Sequence, residues 1–260
     1  MIVRTIVSLA LAAMALPASA AGSQTFRVDY SVSILGLNIA QSSFESRIGA
    51  RDFTVTGSIA SSGIARIFDS TEGTADVSGS FVDNGAQADR YLLNYTSGSK
   101  RKRTEVAFSD GRVTEARNTP KRTPDPRIWV PVKPADLTAV TDPLSASMVK
   151  ASGLREVCDR TLKVFDGEMR ADLDLSFVST GQVEARGYNG AAVTCRARFV
   201  PVGGYKGGHR SIEFLKNRSR ILITFAPLGT TGVYAPIKLS ATTEIGTLVV
   251  NARRFEAVSQ

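Results

Sequence analysis

Apolar and polar residues alternate with a period of two along most of this chain, which suits strands that bury one face each. Phe26, Val28 and Tyr30 share one side of the first such segment, and Arg27 and Asp29 take the other. Phe53 and Val55 repeat the device after Gly49-Ala50, and Tyr91, Leu93 and Tyr95 form another apolar face. Val106 and Phe108 run into Asp110-Gly111, a tight-hairpin signal because Gly accepts positive φ, and Val113 starts the return strand. Leu173, Leu175 and Phe177 alternate with Asp172, Asp174 and Ser176; after Gly181 a second strand is expected to reach a turn at Asn189-Gly190. Val193, Cys195, Ala197 and Phe199 then face one way and Arg196 and Arg198 the other, and three further segments carry the pattern from Ile221 to Phe255.

The fold class expected is mainly β: a long antiparallel, strongly curved sheet, an open barrel or β-spiral, with one or two short helices. Asp142 can cap a helix with Pro143 at its first position and Gly153 at its stop, giving about ten residues with Leu144 and Met148 on the buried face. A turn at Ile64 to Phe68 reads as a plug over the sheet, and the proline-rich stretch Thr119 to Pro134 as an extended surface crossing.

Arg4, the apolar run Ile6 to Leu16, Pro17 and the small-residue site Ala18-Ser19-Ala20 read as a secretory signal, residues 1–20, cleaved after Ala20. The expectation is a single all-β periplasmic domain over 21–260 with no transmembrane segment in the mature chain. Lys and Arg number 32 against 24 Asp and Glu, and losing Arg4 leaves a mature charge of +7. Such a chain is drawn to anionic envelope surfaces, and export removes nucleic acid as a partner.

Cys158 and Cys195 are the only cysteines, and in an oxidising compartment one structural disulfide is the expected outcome, with free or regulatory thiols as the alternative. Their spacing is unlike C-x-x-C, and His209 alone adds too little for a metal site. No metal, cofactor or catalytic constellation is expected. No G-x-S-x-G elbow occurs, and His209 sits in Gly203 to Arg210, which reads as a mobile connection leading into a strand.

Lys100, Arg101, Lys102 and Arg103 follow Gly98-Ser99 as a four-cation run, read either as a solvated strand edge or, with Lys121, Arg122 and Arg127, as a contact for anionic lipid headgroups. Asp166, Glu168, Asp172 and Asp174 lack the loop and Gly of an EF-hand and read as a solvated face; glycoside hydrolysis is the functional alternative. Asn217-Arg218-Ser219 is a glycosylation triplet of the kind chance supplies.

Asp142-Pro143-Leu144-Ser145, Cys158, Phe165-Asp166-Gly167 and Cys195, with Tyr30-Ser31-Val32 and Gly36 near the start, resemble domain of unknown function family 3108, a group of proteobacterial envelope proteins. The resemblance covers most of the mature chain, although Glu168-Met169-Arg170-Ala171 departs from the basic and aromatic residues usual there. It implies a periplasmic all-β protein with no established enzyme activity. The layout is more loosely similar to curved-sheet envelope-integrity and lipoprotein-carrier proteins. The concave face of such a sheet is either filled by its own side chains or left as a ligand-sized cleft beside the helix at Pro143 to Ser152. Leu144, Met148, Trp129 and Asp166 are the candidate contacts for a lipid or an envelope protein. The expected function is an exported binding or structural protein; the alternatives are an envelope hydrolase using acidic residues and a scaffold without a small-molecule ligand.

Overall fold

The structure is a computed structural model that describes residues 22–63, 70–82 and 85–258. The expected export signal over residues 1–20 and the expected turn at Ile64 to Phe68 lie outside the described residues. Seven strands open the fold as an antiparallel meander: β1 (Gln24–Ile34), β2 (Leu37–Ile48), β3 (Asp52–Ser61), β4 (Thr71–Val82), β5 (Gly85–Ser97), β6 (Lys100–Ser109) and β7 (Arg112–Thr119). A crossing follows, with β8 (Trp129–Val130), the single-turn helix α1 (Pro143–Ala146) and β9 (Val149–Lys150). The second series is β10 (Arg160–Phe165), β11 (Arg170–Ala185), β12 (Tyr188–Gly203), β13 (Tyr205–Lys206), the helix α2 (Arg210–Asn217), β14 (Ile221–Pro227), β15 (Val233–Thr243) and β16 (Gly246–Val258).

The two series form one antiparallel sheet because β16 pairs along β1 from Thr25↔Val258 to Ile34↔Leu248. Its order is β10-β11-β12-β14-β15-β16-β1-β2-β3-β4-β5-β6-β7, and β13 pairs separately with β8. The edge strands β7 and β10 do not pair with each other, so strand pairing does not close a barrel. The crossing spans the gap instead: Thr138 bridges Arg112, and Thr141 bridges Val164. Val140 N–H donates to Gly111 O at 2.9 Å, and Phe165 N–H to Thr141 O at 2.9 Å. These bonds occupy edge groups that would otherwise be open to further strands.

The alternation read from the sequence selects the core. Phe26, Val28, Phe53, Val55, Tyr91, Val106, Phe108 and Phe255 fall in one buried cluster, and Val193, Cys195, Ala197, Ile221, Ile223 and Phe225 in a second. Cys158 and Cys195 form a disulfide within the second, with Cα atoms 5.6 Å apart. Asp110-Gly111 makes the β6–β7 turn as expected, with both residues at positive φ.

Three local expectations are corrected. The helix at Asp142 has its cap, since the carboxylate accepts from Leu144 and Ser145 N–H, but it ends at Ala146. Val149 and Lys150 are drawn into pairing with Tyr234 and Val233 of β15, and Gly153 sits in extended backbone ahead of a short 3-10 turn. Tertiary strand pairing thus overrides local helix signals. The hairpin turn lies at Arg186-Gly187, not Asn189-Gly190, and β11 runs straight through Gly181. Gly187 wins because its φ is +85° and β16 packs so closely that a Cβ there would lie 2.3 Å from Glu256 Cβ. The curled hairpin end docks on β16, where Phe255 N–H donates to Arg186 O and the Tyr188 and Phe255 rings lie 5.4 Å apart. Finally, the segment after the Gly-rich stretch is α2, a helix and not a strand. Ile212, Phe214 and Leu215 are half-buried, a helical spacing that a period-two reading misses. The Gly-rich stretch is itself ordered: Gly204 N–H donates to Val130 O and Gly207 N–H to Ile128 O, both at 2.7 Å.

Candidate ligand-binding site

Moving along β1 to β6 away from the core, the side chains change character from one rung of the ladder to the next. The cross-strand neighbours Val28, Phe44, Gly57, Ala75, Leu93 and Thr104 form a largely apolar rung. Phe44 lies over Gly57, where a Cβ would come within 2.4 Å of the ring. The next rung on the same face is Tyr30, Ser42, Ile59, Gly73, Tyr95 and Lys102. All six line an open cleft of about 1140 Å³. So do the two rungs of opposite parity that flank them, among them Asp29, Ser43, Asn94 and Arg103 on one side and Ser31, Gln41 and Arg101 on the other.

Polar residues therefore occupy both parities at these strand ends, and an aromatic and aliphatic group of Tyr30, Ile59 and Tyr95 sits among them. Gly73 keeps the middle of the rung shallow: a Cβ there would lie 3.1 Å from Tyr95 Cβ and 3.3 Å from Ile59 Cγ2. Tyr30 is anchored by its hydroxyl, which donates to Pro236 O at 2.6 Å, and by an edge contact with Phe44; burial pushes its phenol pKa up.

The cleft is basic. Arg27, Arg101, Lys102, Arg103 and Arg253 line it, against Asp29 and Glu72. Burial pushes the Asp29 carboxyl up, but hydrogen bonds from Ser43 and Arg27 and the charges of Arg27 and Arg254 hold it below its usual value. Lys102 is paired with Glu168 at 3.0 Å, and Arg103 with Glu105. Arg101 and Arg253 are exposed and make no ion pair among the described residues. Lys100 stands outside the lining.

The candidate contacts named from the sequence fall in two places, neither of them this cleft: Trp129 with Asp166 in one cavity, and Met148 with Leu144 at α1. Trp129 and Asp166 line a different cavity of about 480 Å³ with Met169 and His209. There Arg122 lies 5.2 Å over the Trp129 ring, and Asp166 Oδ1 accepts from Glu168 and Met169 N–H, which shapes the β10–β11 turn. Met148 lines a cavity of about 400 Å³ beside α1, and Leu144 is half-buried against the first core cluster. Asp172 pairs with the buried Arg170 at 2.6 Å, and Asp174 with Thr161 and Arg198. Among the described residues no group of three or more His, Cys, Asp or Glu could hold a metal ion.

Residues 25–253 match the family model described as "Protein of unknown function (DUF3108)". The chain belongs to this family. The matched range takes in the Tyr30 strand, the D-P-L-S cap and both half-cystines. No curated protein matches the chain. Among solved structures, the fold is similar to a beta-barrel-like protein of another domain of unknown function, DUF1849, from Brucella abortus. The TM-score is 0.54 at 8% identity, over 92% of this chain and 98% of that one. That likeness is one of fold alone. Among the described residues no helix is long and apolar enough to cross a membrane.

Proposed function

We propose that this DUF3108 chain is an exported binding protein of the bacterial cell envelope, cleaved after Ala20 and acting as one domain over residues 21–260, which holds an anionic amphipath on its curved sheet. The observation that carries this reading is the cleft across β1 to β6, where an aromatic and aliphatic rung lies beside cations in excess. Tyr30, Ile59 and Tyr95 suit an acyl or other apolar body, the Ser, Thr and Asn side chains can donate to headgroup oxygens, and Arg101 and Arg253, without an ion pair among the described residues, can meet a negative charge. Each cation near an anionic group contributes about 1 kcal/mol, so the pair favours a charged headgroup over a neutral one by roughly thirtyfold. Asp166, Asp172 and Asp174 are engaged with their own chain, which gives the hydrolase alternative little to act with.

The test is native mass spectrometry of the oxidised protein purified from its host, with lipid extraction, followed by titration with a fluorescent fatty acid. Bound lipid, and about thirtyfold weaker fatty-acid binding after joint Arg101→Ser and Arg253→Ser substitution, are expected. Protein that is consistently empty and fails to bind the fatty acid sinks the reading. N-terminal sequencing of the periplasmic form tests export separately.

A further inference from the structure

Two-residue hairpin turns in this fold are mostly made of polar residues and glycine: Gly98-Ser99, Asp110-Gly111 and Arg186-Gly187. Two adjacent turns break that pattern. Leu35-Gly36 closes β1–β2, and Glu244-Ile245 closes β15–β16. The pairing of Ile34 with Leu248 sets the two hairpins side by side, and Leu35 reaches across so closely that a Cβ on Gly246 would lie 2.6 Å from its Cδ2. Leu35 and Ile245 are 72% and 73% exposed, the highest values among the exposed large apolar side chains of the described residues, and Leu37 beside them is 53% exposed.

Leu35 also stands at φ +50°, where Asn or Gly would sit with less strain. A leucine in this position is disfavoured twice in the isolated protein, by its backbone and by its contact with water. What would offset this is an apolar surface that the described residues do not supply. The surroundings identify the sign of that surface. Arg220 O accepts from Thr242 N–H, and Ser219 donates to Thr242 O, which places the end of α2 and its following turn beside the β15–β16 tip. Arg218 and Arg220 are exposed there and make no ion pair among the described residues, whereas Glu244, the acid of the tip, is held by Arg210 and Ser211.

We infer that the paired turns at Leu35 and Ile245 are a membrane-surface contact, which seats these two side chains at the headgroup–acyl boundary of an anionic bilayer with Arg218 and Arg220 against lipid phosphates. Apolar tips between cations bind such interfaces through buried area and charge together. The contact uses residues outside the cleft lining, so it stands or falls apart from the ligand reading.

The test is cosedimentation of the oxidised protein with vesicles of phosphatidylethanolamine and phosphatidylglycerol, and with vesicles of phosphatidylcholine alone. Binding to the anionic vesicles, weakened by salt and much lower on phosphatidylcholine, is expected. Leu35→Asn and Ile245→Ser should each lower partition by about tenfold. Their melting temperatures should stay level or rise, because Asn relieves the strained turn, and both variants should still bind a fluorescent fatty acid. The inference is overturned by wild-type protein that ignores anionic vesicles, or by variants that bind them unchanged. It is equally overturned by variants that melt markedly lower, which would make the tips packing elements. Lipid-free dimers abolished by the same substitutions would make the tip a protein interface instead.

Discussion

Glu168 Oε2 lies 3.0 Å from Lys102 Nζ, and so fastens the cleft rung on β6 to the turn between β10 and β11. The other oxygen meets Arg122 at 2.9 Å, so one carboxylate gathers cations from two parts of the chain across the unpaired edge of the sheet. Both Glu168 and Lys102 are partly shielded from water, so the pair is stronger than a surface ion pair. Glu168→Gln should therefore cost about 1–2 kcal/mol in urea unfolding. It should also free Lys102 and tighten anionic fatty-acid binding by a few-fold. Unchanged stability together with unchanged affinity would show that the contact does not shape the cleft.

The cystine pins the end of the crossing to β12 inside the second core cluster, where Cys158 and Cys195 are almost fully buried. It closes a 37-residue separation, for which the chain-entropy model gives about 3–4 kcal/mol. Reduction, or Cys158→Ser, should lower stability by that amount and raise protease sensitivity around the crossing. Equal urea midpoints for the oxidised and reduced protein would remove the disulfide from the account of stability.

Asp142 is fully buried at the start of α1, and burial pushes its carboxyl up from 3.8 against the lowering effect of the N–H groups it caps. An acid with a raised folded value binds its proton more tightly when folded, so its contribution to stability falls as pH rises from 3.8 and stays low above the folded value. Asp142→Asn removes the ionisation and keeps an oxygen for the cap. The difference between the stability curves of variant and wild type should therefore move in the variant's favour as pH rises from acid to neutral. Asp142→Ala, which has no cap, should cost about 1–2 kcal/mol. A difference curve for the Asn variant that is flat across this range would contradict the assignment.

The fold was legible where one rule acts alone. Alternation marked Phe26, Val28, Val106 and Cys195 as inward residues, and Asp110-Gly111 marked its turn, because strand parity and positive φ are local properties. Asn189-Gly190 misled because the choice between two adjacent turn signals was made by β16 packing against Gly187, more than sixty residues away in sequence. The cleft was harder to read for the same reason. Its rungs join Tyr30 to Lys102 through four intervening strands, a relationship fixed by register, and register depends on every turn between them. One signal was present: Gln41-Ser42-Ser43 is polar on both parities, as are Gly73-Thr74 and Asn94 beside Tyr95. Such breaks mark strand ends that leave the core.

Gly204 and Gly208 separate ordered backbone from open turn within the one Gly-rich stretch. Both have positive φ, at +81° and +69°, so alanine at either is strained to a similar degree. At Gly208 nothing else lies within 4 Å, and Gly208→Ala should cost about 1–2 kcal/mol for the backbone alone. At Gly204 a Cβ would lie 1.8 Å from Glu168 O, a backbone atom that cannot turn away. Gly204→Ala must push the β10–β11 turn outward, costing about 3 kcal/mol or more. Because β13 pairs with Trp129, the single tryptophan, its fluorescence should change in Gly204→Ala and hold steady in Gly208→Ala. Similar spectra and similar urea midpoints for the two variants would mean that this stretch is the mobile connection its composition suggests.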